Sequence, residues 1–228
     1  MKSLSIFAVL VILLTAFNVE GGTVLKTDKD KLSYALGMDI GGSLKGQSID
    51  IDPDKFIMGV KDVVEGNKAI LNKEEFQATM NKFQQEMAAK QADQTKMIAE
   101  KNIAEGKAFL AENRKKDGVV TTDSGLQYII LEEGSGDSPK ATDTVSVHYK
   151  GMLINGTEFD SSYSRNQPAS FPVNGVIPGW TEALQLMKPG AKWKIFLPSD
   201  IAYGERGAGQ QIGPNATLIF EVELLSVK

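Results

Sequence analysis

Apolar residues recur at helical spacing up to about residue 118 and alternate at strand spacing beyond it, which divides this 228-residue chain into two textures. In the first, Thr27 with Asp30 forms an N-cap pair, and Leu32, Leu36, Ile40 and Leu44 then follow every fourth position on one helix face. Gly37, Gly41 and Gly42 either weaken that helix or admit a second backbone. Asp52-Pro53 is a cap with proline at the first helical position. Phe56, Val60, Val63 and Val64 supply the face of a second helix, and Gly66 ends it. Asn72 with Glu75 opens a third helix that nothing interrupts before Asp117-Gly118. Its about 44 residues make a rod of roughly 65 Å at ~1.5 Å per residue. Phe76, Met80, Phe83 and Met87 give its start a heptad-like seam, which dissolves at Gln91 and Gln94 into Lys and Glu. The pattern predicts packing at the apolar start, a solvated shaft, and easiest bending at Gly106.

From Val119 the pattern becomes period two. "LQYIILEEG", "TVSVHYKG", "AKWKIFL" and "ATLIFEVELLSV" read as strands; Ala191, Trp193, Ile195 and Leu197 share one face, as do Leu218, Phe220, Val222 and Leu224. One short helix, about Gly179 to Met187, lies among them and "KPG" closes it. The predicted class is α+β: an all-α N-terminal domain, a long stalk helix, then an antiparallel sheet wrapped on a short helix. The boundaries follow as a leader at 1–21, a helical domain at 22–71, a connecting helix at 72–118 and a β-rich domain at 119–228.

The leader reading rests on Lys2 and the apolar run Leu4 to Phe17, shorter than the roughly 20 residues that span a bilayer. Cleavage near Gly21-Gly22 would export the chain to the periplasm, outer membrane or cell surface; an uncleaved anchor is the alternative. The two short helices and half-apolar rod bury too little alone, so a second copy is the expected partner, with a monomeric helical cap as the alternative.

Composition removes several chemistries. There is no cysteine, hence no disulfide, thiol nucleophile or thiolate metal site, and one histidine cannot build a multi-histidine metal centre. Residues 119–228 carry 8 basic and 12 acidic side chains, which disfavours nucleic acid as a partner. His148 lies in an alternating strand without a nucleophile elbow. Glu221 and Glu223 fall on a strand's polar face, and the glycine-rich "GERGAG" lacks a P-loop context. No cofactor or metal is expected. What remains is aromatic: 10 of 17 aromatic residues, with both tryptophans, lie beyond residue 118, which favours an apolar cavity with few polar handles.

Three stretches, "VSVHYKGMLINGTEFDSSYSRNQP", "VIPGWTEALQLMKPGAKWKIFLPSDIAYGERG" and "IGPNATLIFEVELL", closely resemble the FKBP family of peptidyl-prolyl cis–trans isomerases, over nearly all of 119–228. The helical front, with "SYALGMDIG" and "GVKDVVEGN", resembles the Mip-type exported bacterial branch. The resemblance implies a half-wrapped sheet with the site between sheet and helix. Carried over by position, Tyr149, Phe159, Val176, Ile177, Trp180, Tyr203, Ile212 and Phe220 would line the pocket, with Trp180 its floor and Asp160 with Arg165 its polar edge. Of these, Asp160, Tyr203, Phe159 and Phe220 are the expected catalytic group, and the Ile177 N–H and Tyr203 hydroxyl would bind ligand carbonyls. It further implies proline-containing protein clients, a homodimer through the N-terminal helices, and macrolide inhibitor binding. Ala169 follows Pro168 where many relatives carry phenylalanine, so one aromatic wall is expected to be missing. The alternative function is a holdase chaperone or surface interaction protein with incidental isomerase activity.

Overall fold

A computed structural model of the chain describes residues 25–228, so the expected leader and cleavage site lie outside the described residues. Two compact units divide between Glu74 and Glu75. In the first, α1 (Asp28–Gly46) starts with the expected capping box, the Thr27 side chain accepting from the Asp30 N–H while Asp30 accepts from the Thr27 N–H. α2 (Pro53–Glu65) starts on Asp52, whose carboxylate accepts from the amides of Asp54 and Lys55, and Gly66 ends it in the left-handed region at φ 73°. No residue of either helix is buried. Their apolar faces, Leu36 and Val60 among them, are exposed in the single chain.

α3 (Lys73–Asn113) is one unbroken α-helix, about 62 Å long at ~1.5 Å per residue. Phe76, at the apolar start, is 55% exposed in the single chain. The far end of the shaft, expected to be solvated, packs along its last turns. Asn102, Gly106, Phe109 and Asn113, spaced 4, 3 and 4, face the β-rich part of the second unit. Asn102 Nδ2 donates to the Pro214 carbonyl at 2.7 Å, the rings of Phe109 and Phe196 lie 5.9 Å apart, and Asn113 Nδ2 donates to Gln127 Oε1 at 2.9 Å. Gly106 is buried, and a Cβ there would collide with Thr217 Oγ1 and stand 3.2 Å from Thr217 Cβ. This glycine serves close approach; it is not a bend.

Among the described residues seven strands form one antiparallel sheet: β1 (Val120–Thr121), β2 (Gln127–Glu132), β3 (Thr144–Leu153), β4 (Glu158–Ser161), β5 (Ala169–Pro172), β6 (Lys192–Leu197) and β7 (Leu218–Val227). The order is β1-β2-β6-β7-β3-β4, with β5 also on β3. The two predicted apolar faces, from Ala191 to Leu197 and from Leu218 to Leu224, are buried throughout. They pack with Ala183 and Leu184 of α4 (Pro178–Leu186), so one short helix closes the sheet's inner side. Each buried Val, Leu, Ile or Phe among them stabilises the fold by about 1.5–3 kcal/mol.

The strands that sequence alternation does not announce are the short ones, β1, β4 and β5. Two to four residues long, they carry too few positions for a period to show. They are strands because β2 and β3 offer them edges. β3 pairs with β7 along most of its length and with β4 and β5 at its two ends.

Candidate active site

Strand period decides which side chains meet on the sheet's inner face. On β3 it turns Val147 and Tyr149 inward, both buried. Gly151, two residues on, pairs with Phe220 of β7 and Asp160 of β4. A Cβ at Gly151 would stand 2.6 Å from the Phe159 ring and 2.8 Å from that of Phe220, so only glycine lets both rings lie on this backbone. The rings themselves meet edge to face at 5.6 Å and 86°.

Trp180 stands in the first turn of α4, which begins with proline at its first position. Gly179 before it has no room for a side chain against Leu197 and Ile201, and that pins the helix start to β6. The indole meets Phe220 at 5.3 Å, Tyr149 at 5.4 Å and Phe171 at 6.0 Å, each at 86°. Such edge-to-face pairs contribute about 0.5–1.5 kcal/mol each beyond burial. They offset a cost, because Trp180 Nε1 is buried and no described protein group accepts from it.

These rings enclose a cavity of about 500 Å³ lined by Tyr149, Phe159, Asp160, Phe171, Gly175, Val176, Ile177, Trp180, Tyr203 and Phe220. Asp160 is the one charged residue of that lining. Its carboxylate accepts from the Tyr149 hydroxyl and, at 2.5 Å, from Arg165 Nη1, while Arg165 Nη2 donates to Tyr149 Oη at 2.8 Å. Burial pushes the Asp160 carboxyl up, but the hydrogen bonds from Tyr149 and Arg165 and the guanidinium charge outweigh it, so it lies below the usual carboxylate range. Burial, then the hydrogen bond to Asp160, raises Tyr149; burial and the Asp160 charge raise Tyr203. The cavity therefore holds one anion and two neutral phenols near neutral pH. The Asp160–Arg165 pair is half exposed, so solvent screens it and its weight in stability is small. Its consequence is orientation.

Of the residues named from sequence, Tyr149, Phe159, Asp160, Val176, Ile177, Trp180, Tyr203 and Phe220 come together in the lining, with Arg165 tied to its edge. Ile212 is not among these lining residues; it is buried beside them in the same cluster as Tyr149, Trp180 and Phe220, and its backbone bridges Ala208 in the loop before β7. Phe171 and Gly175 are additions. Phe171 sits two positions after Ala169 on β5, hence on the same side, and provides an aromatic wall on the side where Ala169 lacks a ring. The signal was the alternation in "ASFP", too short to read alone.

His148 faces away from the cavity. Its Nδ1 is 2.9 Å from the Oγ of buried Ser162, which also accepts the Tyr149 N–H at 2.8 Å, and its ring stacks on Tyr163 at 4.7 Å. Tyr163 donates to Glu223 at 3.1 Å; burial and that carboxylate push its hydroxyl up to about 12. No group of three potential metal ligands occurs among the described residues.

A model of the FKBP-type peptidyl-prolyl cis–trans isomerases matches residues 136–225, and one of the domain amino-terminal to that isomerase matches 29–130. The chain is 49% identical over 214 residues to the "Outer membrane protein MIP" of Legionella longbeachae, covering 94% of this chain and 92% of that one. It is 43% identical over 202 residues to the FKBP-type 22 kDa peptidyl-prolyl cis–trans isomerase of Escherichia coli, covering 88% and 96%. This chain belongs to the FKBP-type peptidyl-prolyl cis–trans isomerases. The crystal structure of FkpA from Escherichia coli matches with a TM-score of 0.74 at 42% identity, over 90% of this chain and 99% of that one. The antiparallel sheet with its short helix is thus the FKBP architecture, preceded in sequence by a helical region. The enzyme reading is the one these relatives carry; the holdase alternative gains nothing from them.

Proposed function

We propose that this FKBP isomerase turns X-Pro bonds of exported, unfolded or folding proteins in the aromatic cavity, without acid, base or nucleophile. The observation that carries the reading is a 500 Å³ aromatic lining with a single, fully tethered carboxylate. The barrier to rotation, ~18–20 kcal/mol, is the loss of amide resonance as the C–N bond twists. A twisted amide has a less polar carbonyl than a planar one. A dry cavity therefore disfavours the planar ground state and accepts the twisted form, and each ~1.36 kcal/mol of that difference speeds rotation tenfold.

In this reading the proline ring rests on Trp180 between Phe159, Phe220 and Tyr149, with Val176 and Ile177 beside it. The Ile177 N–H and Tyr203 hydroxyl hold flanking carbonyls, and Asp160 and Arg165 set the field at the edge. Replacing Tyr203 by Phe keeps the ring and removes only its hydroxyl. The expected result is a several-fold fall in kcat/KM on an X-Pro peptide with an unchanged unfolding midpoint. An unchanged rate would remove the hydroxyl from the mechanism.

The same reading makes the molecule a homodimer through its N-terminal helices. Supporting it, α1 and α2 bury nothing in the single chain, and Cβ positions at Gly37, Gly41 and Gly42 face open space where a second backbone can approach. Two sites on one dimer would raise effective concentration on a shared client. Sedimentation of the mature chain at micromolar concentration should give a dimer; a monomer contradicts this part. Export is supported by the Lys2-led apolar run and by the outer-membrane name of one relative. The same reading assigns macrolide inhibitors to this cavity, supported by the Phe171 ring in its lining on the Ala169 side.

A further inference from the structure

Tyr203 reaches the cavity from an irregular connection between two strands. It stands in residues 198–217, the connection between β6 and β7, whose only strand-like pairing is the Ala208–Ile212 bridge. In such a loop the position of a side chain rests on local ties, not on a ladder. Ile201, Ala208 and Ile212 pack with the core, and two hydrogen bonds in series tie α3 to the residue after Tyr203. The Asn102 side-chain amide, on α3, donates to the Pro214 carbonyl at 2.7 Å. The next residue, Asn215, donates its N–H to the Gly204 carbonyl at 2.8 Å, and Gly204 is peptide-bonded to Tyr203. The contact is close-packed as well as polar. A Cβ at Gly213 would stand 3.2 Å from Asn102 Nδ2 and 3.4 Å from Ile98 Cγ2, so glycine lets the loop lie against the helix. One turn further along α3, Gly106 closes on Thr217, where the loop enters β7.

We propose that Asn102 is a positioning residue for the Tyr203 wall of the isomerase cavity, so that the long helix outside the sheet sets the geometry of one side of the site. The proposal rests on the reading of Tyr203 as part of that site. Asparagine is a poor choice for the interior of a long helix, since its side chain competes for backbone partners. Here the amide has such a partner, 112 positions away in sequence. A carbonyl in an irregular loop has no ladder to satisfy it, and Asn102 supplies the donor. Its loss releases both ties together, because the Pro214 carbonyl and the Asn215 N–H belong to one planar peptide group.

The test uses the full chain and a double-mutant cycle. Asn102→Ala and Asn102→Asp should each lower kcat/KM on an X-Pro peptide by about fivefold, the aspartate because it keeps the shape but cannot donate. Amide exchange at Asn215 should quicken by a similar factor, while Val222 in β7 keeps its protection. Tyr203→Ala alone should lower the rate, and adding Asn102→Ala to it should lower it no further, measured at enzyme concentrations that keep catalysis above background. Losses that multiply in the double variant, or an unchanged rate and unchanged Asn215 exchange in both single variants, would overturn the proposal. A purely structural hydrogen bond would lower the unfolding midpoint but would show no coupling to Tyr203. If Tyr203→Ala leaves the rate unchanged, the site reading fails instead.

Discussion

Asp160→Leu lowers kcat/KM on an X-Pro peptide by at least about tenfold while the protein stays folded. The reason is the number of groups one carboxylate organises. It accepts from Tyr149 and from Arg165, and these two are themselves bonded at 2.8 Å, so the three side chains form a closed set at the cavity edge. Leucine leaves the Tyr149 hydroxyl without its acceptor, frees the guanidinium that lies 5.7 Å from the Tyr149 ring, and removes the only lining charge. Hydrogen bonds to a charged group contribute about 1.5–3 kcal/mol each, enough for a tenfold effect from one of them if it is realised in the twisted state. Folding loses far less, because the ion pair is half exposed. The check is a pair of measurements, the peptide rate and the thermal midpoint. A midpoint that collapses with the rate would mean that Asp160 is structural.

Trp180→Ala has the opposite signature and the largest effect on stability. Trp180 is 4% exposed and touches three rings edge to face, so its removal opens a hole that rigid aromatic neighbours cannot fill. Aromatic-to-alanine changes in cores cost about 3–5 kcal/mol. For a domain of this size that is a fall of roughly 12 °C or more in the midpoint, read by calorimetry. Activity on the X-Pro peptide falls as well at temperatures where the variant is folded, since the floor of the cavity is gone. Full activity with a lowered midpoint would confine Trp180 to the core.

What could be read from sequence was what a period or a local rule encodes. The caps at Thr27 and Asp52, the paired apolar faces of β6 and β7, and the proline-led start of α4 are local, and each stands as expected. The cavity residues were reached by resemblance, because an aromatic side chain on a strand looks the same whether it fills a core or lines a pocket. Ile212 was carried over in the same way; it is buried in the cluster that holds Trp180 and Phe220, on a loop where no strand period assigns its side. Phe171 shows the converse, a wall set by a four-residue edge strand that exists only because β3 offers it an edge. Gly106 was misread for a similar reason. A glycine inside a helix signals either weakness or close approach, and only its neighbour Thr217, 111 positions away, decides between them.

The central claim is that rotation is catalysed with no proton in flight. Asp160 lies below the usual carboxylate range and so is ionised above about pH 5; Tyr149 and Tyr203 lie above the usual phenol range and so are neutral below about pH 9. His148, the chain's one histidine, stands outside the lining. The most direct measurement is therefore kcat/KM for cis-to-trans conversion of an X-Pro peptide by the full chain between about pH 5 and 9. Expected is a rate well above the uncatalysed background that varies by less than about threefold across that range. A bell-shaped profile, or a limb that changes by about tenfold or more within it, would contradict the account.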